Sequence, residues 1–154
     1  MIFDGQISIR PVSFELRGKK WFMCDQVYLT FQVGNLKRNS SVAKKQEGVF
    51  TWPEDEVIKF DIAGQANMSF TLYWKSGLVL ADKKMGHDIF WFKDIVHTFQ
   101  INREFEIFHV SEPIGKIYMM LQYEPYGGFK NQPTHPSYYS DLQLPFERDL
   151  YISQ

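Results

Sequence analysis

Apolar and polar residues alternate with a period of two along most of the chain. That period marks a β-strand with one buried face. From Gln6 the run Ile7, Ile9, Val12, Phe14, Leu16 predicts a long strand, with a bulge near Pro11 where the spacing slips. Residues 25–33 put Val27, Leu29, Phe31 and Val33 on one face and Tyr28, Thr30 and Gln32 on the other. Residues 41–46 read as a short strand. Residues 56–62 alternate through Ile58, Phe60 and Ile62, and residues 68–74 through Met68, Phe70, Leu72 and Trp74. Residues 86–95 set Ile89 and Trp91 against Phe90 and Phe92. Residues 104–110 set Phe105, Ile107 and His109 against Phe108 and Val110, and residues 115–123 carry Ile117, Met119, Leu121 and Tyr123. Turn-forming residues at 34–35, 39–41 and 64–67 separate these runs. Helical periodicity is scarce; residues 92–98 have room for one turn.

About eight short strands of this kind predict an all-β fold, an eight-stranded antiparallel β-sandwich. Several strands are apolar on both faces, so part of the outer surface is expected to be covered. The rhythm stops after Pro125. Residues 126–154 carry Pro133, Pro136 and Pro145 with scattered aromatics and no sustained alternation. The expected organisation is therefore a sandwich over 1–125 and an extended C-terminal arm over 126–154. Tyr138, Tyr139, Phe146 and Tyr151 are the arm's candidate partner-binding anchors, because interfaces favour such rings.

Composition narrows the function classes. A chain of 154 residues fits one domain, and 44% hydrophobic with 23% charged residues excludes disorder of the whole. The formal net charge of -1 provides no global basic field, so nucleic acid is not an expected partner. The 14 Phe, 8 Tyr and 4 Trp exceed what two inner faces need, and Trp21, Phe22, Phe90 and Phe92 are candidates for the surplus. The single cysteine, Cys24, cannot close an internal disulfide or build a four-cysteine zinc site. With no leader-like N-terminus and no long apolar run, an intracellular, cytoplasmic protein is expected.

Catalytic signatures are missing. His87, His97, His109 and His135 show no ligand spacing, and no phosphate-cradling glycine loop or nucleophile elbow is present. Cys24 has no identifiable base. The expectation is a non-enzyme without metal or cofactor.

Four segments carry a family resemblance. They are Asp25-Gln26-Val27-Tyr28-Leu29-Thr30; Trp52-Pro53-Glu54 with Ile58 and Phe60; Tyr73-Trp74 with Asp82-Lys83-Lys84-Met85-Gly86; and Gly115-Lys116-Ile117 with Leu121-Gln122-Tyr123. In this order and spacing they resemble the C2 domain. The resemblance implies an eight-stranded sandwich and, in many members, calcium-dependent membrane docking through aspartates on two apical loops. Here the pattern is degenerate. Lys75 and Gly77 stand at the positions matching two of those aspartates, Lys83 replaces another, and only Asp25 and Asp82 remain. Calcium wants 6–8 oxygen ligands, mostly carboxylate, and two acids among many lysines present a field of the wrong sign. The resemblance therefore implies a calcium-independent variant.

Two basic groups stand out. Lys19, Lys20, Lys83 and Lys84 fall near Trp21 and the apolar residues 78–80, a combination that suits an anionic membrane or an acidic protein surface. Lys37 and Arg38 with Lys44 and Lys45 form a second group; the resemblance implies phosphoinositide binding by a lysine-rich strand near here in some members, while four charges beside polar turns are more often a solvated hairpin. The expected role is a protein-interaction or scaffold module in a larger assembly, cytoskeletal or ciliary by family analogy. The alternative is a calcium-independent peripheral membrane module.

Overall fold

The structure is a computed structural model and describes residues 3–77 and 80–127. The arm anchors Tyr138, Tyr139, Phe146 and Tyr151, and the loop residues Leu78 and Val79, lie outside the described residues.

Ten strands form among the described residues: β1 (Asp4–Leu16), β2 (Gln26–Val33), β3 (Leu36–Asn39), β4 (Ala43–Gln46), β5 (Val49–Thr51), β6 (Ile58–Ala63), β7 (Asn67–Trp74), β8 (Lys83–Trp91), β9 (Gln100–His109) and β10 (Glu112–Pro125). One 3-10 turn, Phe92–Asp94, follows β8. All the pairings are antiparallel.

The strands do not make two separate sheets, which corrects the plain eight-stranded sandwich expected from the sequence. They make one sheet that closes on itself, running β1–β10–β9–β8–β7–β2–β4–β5 and back to β1. β6 and β3 branch from β1 and β2. Two layers persist within the ring: β6, β1, β10 and β9 oppose β3, β2, β7 and β8. The short β4–β5 ladder bridges them on one side, and a single pairing, His87 with Phe108, bridges them on the other. Closure removes most of the free edge that open sheets expose.

Between the layers lies the core that the period-two pattern foretold. Ile7, Ile9 and Phe14 of β1, Leu29 and Phe31 of β2, Phe70 and Leu72 of β7, and Ile117, Met119 and Leu121 of β10 are fully buried. Phe105 packs edge-on against Phe70 at 5.1 Å and Phe90 at 6.1 Å, which locks β9 to the opposite layer. Phe90 and Phe92 are core, not the surplus contact surface the sequence reading assigned to them. Phe92 is drawn inward by the 3-10 turn, which breaks the strand register after Trp91. In β1 the register shifts between Pro11 and Ser13, as the slipped spacing implied.

The two outer surfaces differ in chemistry. The β6–β1–β10–β9 face is charged: Lys59, Asp61, Lys116, Glu104, Glu106 and Glu124 share it. The other face is not. There β2 turns out Tyr28, Thr30 and Gln32. Opposite them β7 turns out Tyr73, Thr71 and Ser69, followed by Asn67. Along β8, His87, Ile89 and Trp91 continue the row, paired with Thr71, Ser69 and Asn67. Lys84 and Lys37 stand only at its corners, opposite Tyr73 and Gln32.

Candidate functional site

One end of the molecule gathers the candidate residues. Antiparallel register brings the β1–β2 loop (residues 17–25), the β7–β8 loop (75–82) and the β9–β10 turn (110–111) together there. The Arg17 amide donates to the Ile114 carbonyl at 2.8 Å, and the Lys75 amide donates to the Gln26 carbonyl at 3.0 Å. The Lys45 ammonium donates to the Phe22 carbonyl at 3.2 Å, tying β4 to the same end.

Trp21 anchors this assembly from inside. Its indole meets Trp74 edge-on at 6.0 Å and His109 at 5.6 Å, joining three elements. The His109 Nδ1–H donates to the Met85 carbonyl at 3.2 Å, which fixes the ring that Trp21 leans on. Only 8% of Trp21 is exposed. As a membrane-contacting residue Trp21 is therefore a correction: it is core, and its ring builds the loop end. Its Nε1–H has no hydrogen-bond partner among the described residues.

Its neighbours point the other way. Phe22 and Met23 are 64% and 68% exposed, Leu80 is 64% exposed, and Val110 is 92% exposed. Phe22 and Met23 belong to the β1–β2 loop, Leu80 to the β7–β8 loop and Val110 to the β9–β10 turn, so the end carries separate exposed apolar residues. The sequence reading placed Phe22 and Leu80 here but did not single out Met23 or Val110. The signal for Val110 was available in the sequence, an apolar residue at a strand end followed by Ser111 and Glu112; in the structure it takes a left-handed φ of 61°.

Around the tips stand cations. Lys20 Nζ lies 5.7 Å from the Trp21 ring centre and Lys83 Nζ lies 5.4 Å from that of Trp74. Lys19, Lys45 and Lys75 complete the collar. Among the described residues none of these lysines forms an ion pair with an acid; the pairs present join Arg17 to Glu15, Arg103 to Asp94 and Lys116 to Glu104. Lys84 stands apart, beside Tyr73 at the corner of the uncharged face.

The two remaining acids do not build a cation cage. The Tyr28 hydroxyl donates to one Asp82 carboxylate oxygen at 2.7 Å and the Ser76 amide donates to the other at 3.1 Å. These bonds, with Lys75 nearby, hold Asp82 below the ordinary carboxylate range. Burial, then the Asp82 bond, pushes the Tyr28 phenol up to about 12. Asp25 sits beside Cys24, whose thiol is pushed up to about 11, chiefly by burial. Among the described residues no three His, Cys, Asp or Glu side chains converge as a metal site.

The second basic group does not hold together. Lys37 pairs with Gln32 on β2 while Lys44 pairs with Gln26, six positions away, or roughly 20 Å along the strand. Lys44 and Lys45 therefore belong to the loop end. Lys37 and Arg38 belong to a shallow open groove between β3 and β6 that also contains Lys59. Arg38 lies over the Phe60 ring at 5.3 Å, so its stem covers the open rim of the core.

No family model matches the sequence, and no curated protein matches it. Solved structures do match in shape. A C2 domain-containing protein from a putative elicitor-responsive gene superposes with a TM-score of 0.68 at 15% identity, over 86% of this chain and 94% of that one. The first of the C2 domains of plant extended synaptotagmin 1 gives 0.66 at 20% identity, over 79% and 95%. The paired C2 domains of extended synaptotagmin 2 give 0.63 at 21% identity, over 80% of this chain and 42% of that one. At these identities the likeness speaks for the fold. A closed antiparallel sheet with three clustered loops at one end, matched over four-fifths of its length, is the C2-domain fold.

Proposed function

We propose that the protein is a non-catalytic module that docks on anionic membrane surfaces through its loop end, without calcium. The supporting observation is the set of exposed tips, Phe22, Met23, Leu80 and Val110, inside a collar of lysines that form no ion pair among the described residues. Burying the exposed part of the Phe22 ring in the interfacial region yields about 2–4 kcal/mol. Each lysine close to an anionic surface adds about 1 kcal/mol. Together these suffice for reversible attachment, while neither alone does. The same cations disfavour a dication, and Asp82 already has both oxygens engaged. Anionic lipid is concentrated on the cytoplasmic leaflet, which is where the proposal places the module.

The scaffold role expected of the arm rests on residues outside the described ones. A protein-interaction role keeps separate support from the uncharged β2–β7–β8 face. Flotation with phosphatidylserine vesicles in the presence of a calcium chelator tests the membrane reading. Salt-sensitive recovery with the vesicles supports it, and recovery only when calcium is added overturns it.

A further inference from the structure

We propose that the uncharged outer face of β2, β7 and β8 is a self-association surface, occupied by a second copy of this chain. Globular surfaces carry about 25–35% charged residues of mixed sign. The β6–β1–β10–β9 face of this protein follows that rule, with acids and bases interleaved. Among the described residues the β2–β7–β8 face carries charge only at its rim, with Lys37 at one end and Lys84, Lys44 and the Tyr28-bonded Asp82 at the other, and none across Thr30, Gln32, Ser69, Thr71, His87, Ile89 and Trp91. Depletion of charge with enrichment of aromatics is the compositional mark of an interface. Here Tyr28 and Tyr73 stack at 5.4 Å, nearly parallel at 14°, and make a flat aromatic platform at one end. Ile89, Trp91 and Phe108 form an apolar ridge along the β8–β9 seam, 41%, 46% and 43% exposed.

Charge decides the occupant. A partner that brought an ion to this face would leave it desolvated and unpaired, at a cost of several kcal/mol. The covering surface must itself be uncharged, and the same face on a second copy meets that condition. Any other pairing of two copies that covers this face sets a charged face or the lysine collar against it. A two-fold pairing of one patch with itself is also the commonest way identical chains associate. The contact is face to face. The Ile89 amide is already taken by the Asp88 carboxylate at 2.8 Å, so that donor is not free to bond a further strand.

Size sets the strength. With three strands about 4.8 Å apart and about 20 Å of length, the patch covers roughly 300 Å² per copy, or about 600 Å² for the pair. That is far below the standard interface of about 1,600 Å², so the dimer is weak, with a dissociation constant on the order of 100 µM or above.

Sedimentation velocity of the full chain across roughly 10–500 µM tests this, with far-UV circular dichroism to confirm folding of each variant. The mass should rise with concentration from 18.2 kDa toward twice that value. Ile89→Lys with Trp91→Glu should hold the chain at the monomer mass over the whole range, and Ser69→Arg should do the same without touching the apolar ridge. Glu106→Lys on the opposite face should change nothing. Hydrogen exchange on β7 and β8 should slow at high concentration only. A constant mass of 18.2 kDa overturns the proposal, as does association that survives the face variants. Protection of this face already at low concentration also overturns it, because the chain would then be covering the face itself. Protection that appears only on adding anionic vesicles overturns it in favour of a lipid surface.

Discussion

Adjacent residues Trp21 and Phe22 should have opposite roles, and alanine at each separates them. Trp21 is 8% exposed and wedged edge-on between Trp74 and His109. Truncating a buried Trp to Ala costs about 3–5 kcal/mol, counting transfer, cavity and ring contacts. Its unpartnered Nε1–H offsets part of this, because an unsatisfied buried donor costs about 1–3 kcal/mol. The net expectation for Trp21→Ala is a loss of about 2 kcal/mol. Trp21→Phe removes the unsatisfied donor together with part of the ring, so it should stay within about 1 kcal/mol of the wild type. Phe22 is 64% exposed, and Phe22→Ala should change stability by less than about 0.5 kcal/mol. For a chain of this size each kcal/mol moves the melting midpoint by about 2–4 °C. Trp21→Ala should therefore melt roughly 4–8 °C lower, while Phe22→Ala melts with the wild type and floats less with vesicles. Thermal and urea denaturation read the first effect, flotation the second. If Trp21→Ala melts with the wild type, or if Phe22→Ala costs as much as Trp21→Ala, the inside–outside division of this loop is wrong.

Two further expectations concern titratable groups. Cys24 is fully buried and its thiol is pushed up to about 11, so a thiol reagent at pH 8 should modify the native protein only as fast as it opens; labelling at the rate of a free thiol would contradict the packing. The Tyr28–Asp82 bond should shape stability at both ends of the pH range. Asp82 is lowered from 3.8, so its contribution is complete above about pH 4 and fades as pH falls; Tyr28 is raised from 10.0 to about 12, so its contribution is complete below pH 10 and fades as pH rises toward 12. Tyr28→Phe should be less stable than the wild type between pH 5 and 9, with the gap in urea midpoints closing at either extreme, and a gap independent of pH would refute the assignment.

Where burial alternates, the strands could be read directly. The burial of β2, β6, β7 and β10 follows the period-two pattern, because a sheet with one face on the core enforces it. β3 and β5 were not anticipated. All four residues of β3, Leu36–Asn39, are exposed, so no face repeats, and β5 has only three residues. Their existence depends on partners distant in sequence, as does closure of the ring through Ser13, Phe14 and Glu15 pairing with Thr51, Phe50 and Val49. The loop end was legible as a collection of lysines and apolar residues, but not in its orientation. A loop has no period to say which of Trp21 and Phe22 turns inward. Trp74 and His109 decide that, and they arrive from strands that begin some 50 and 80 residues later along the chain. The split of Lys37 and Arg38 from Lys44 and Lys45 was hidden for the same reason, since β3 and β4 pair with opposite ends of β2.

The central claim is attachment of the loop end to an anionic membrane without calcium, and flotation with phosphatidylserine-containing vesicles in excess chelator tests it most directly. Wild type should float at low salt and be released as ionic strength shortens the range of its lysine collar. Lys19→Glu with Lys20→Glu reverses two charges, a change of about 4 kcal/mol at about 1 kcal/mol per charge, so binding should fall by at least about a hundredfold. Failure of the wild type to float until calcium is added, or flotation untouched by salt and by both charge reversals, would contradict the claim.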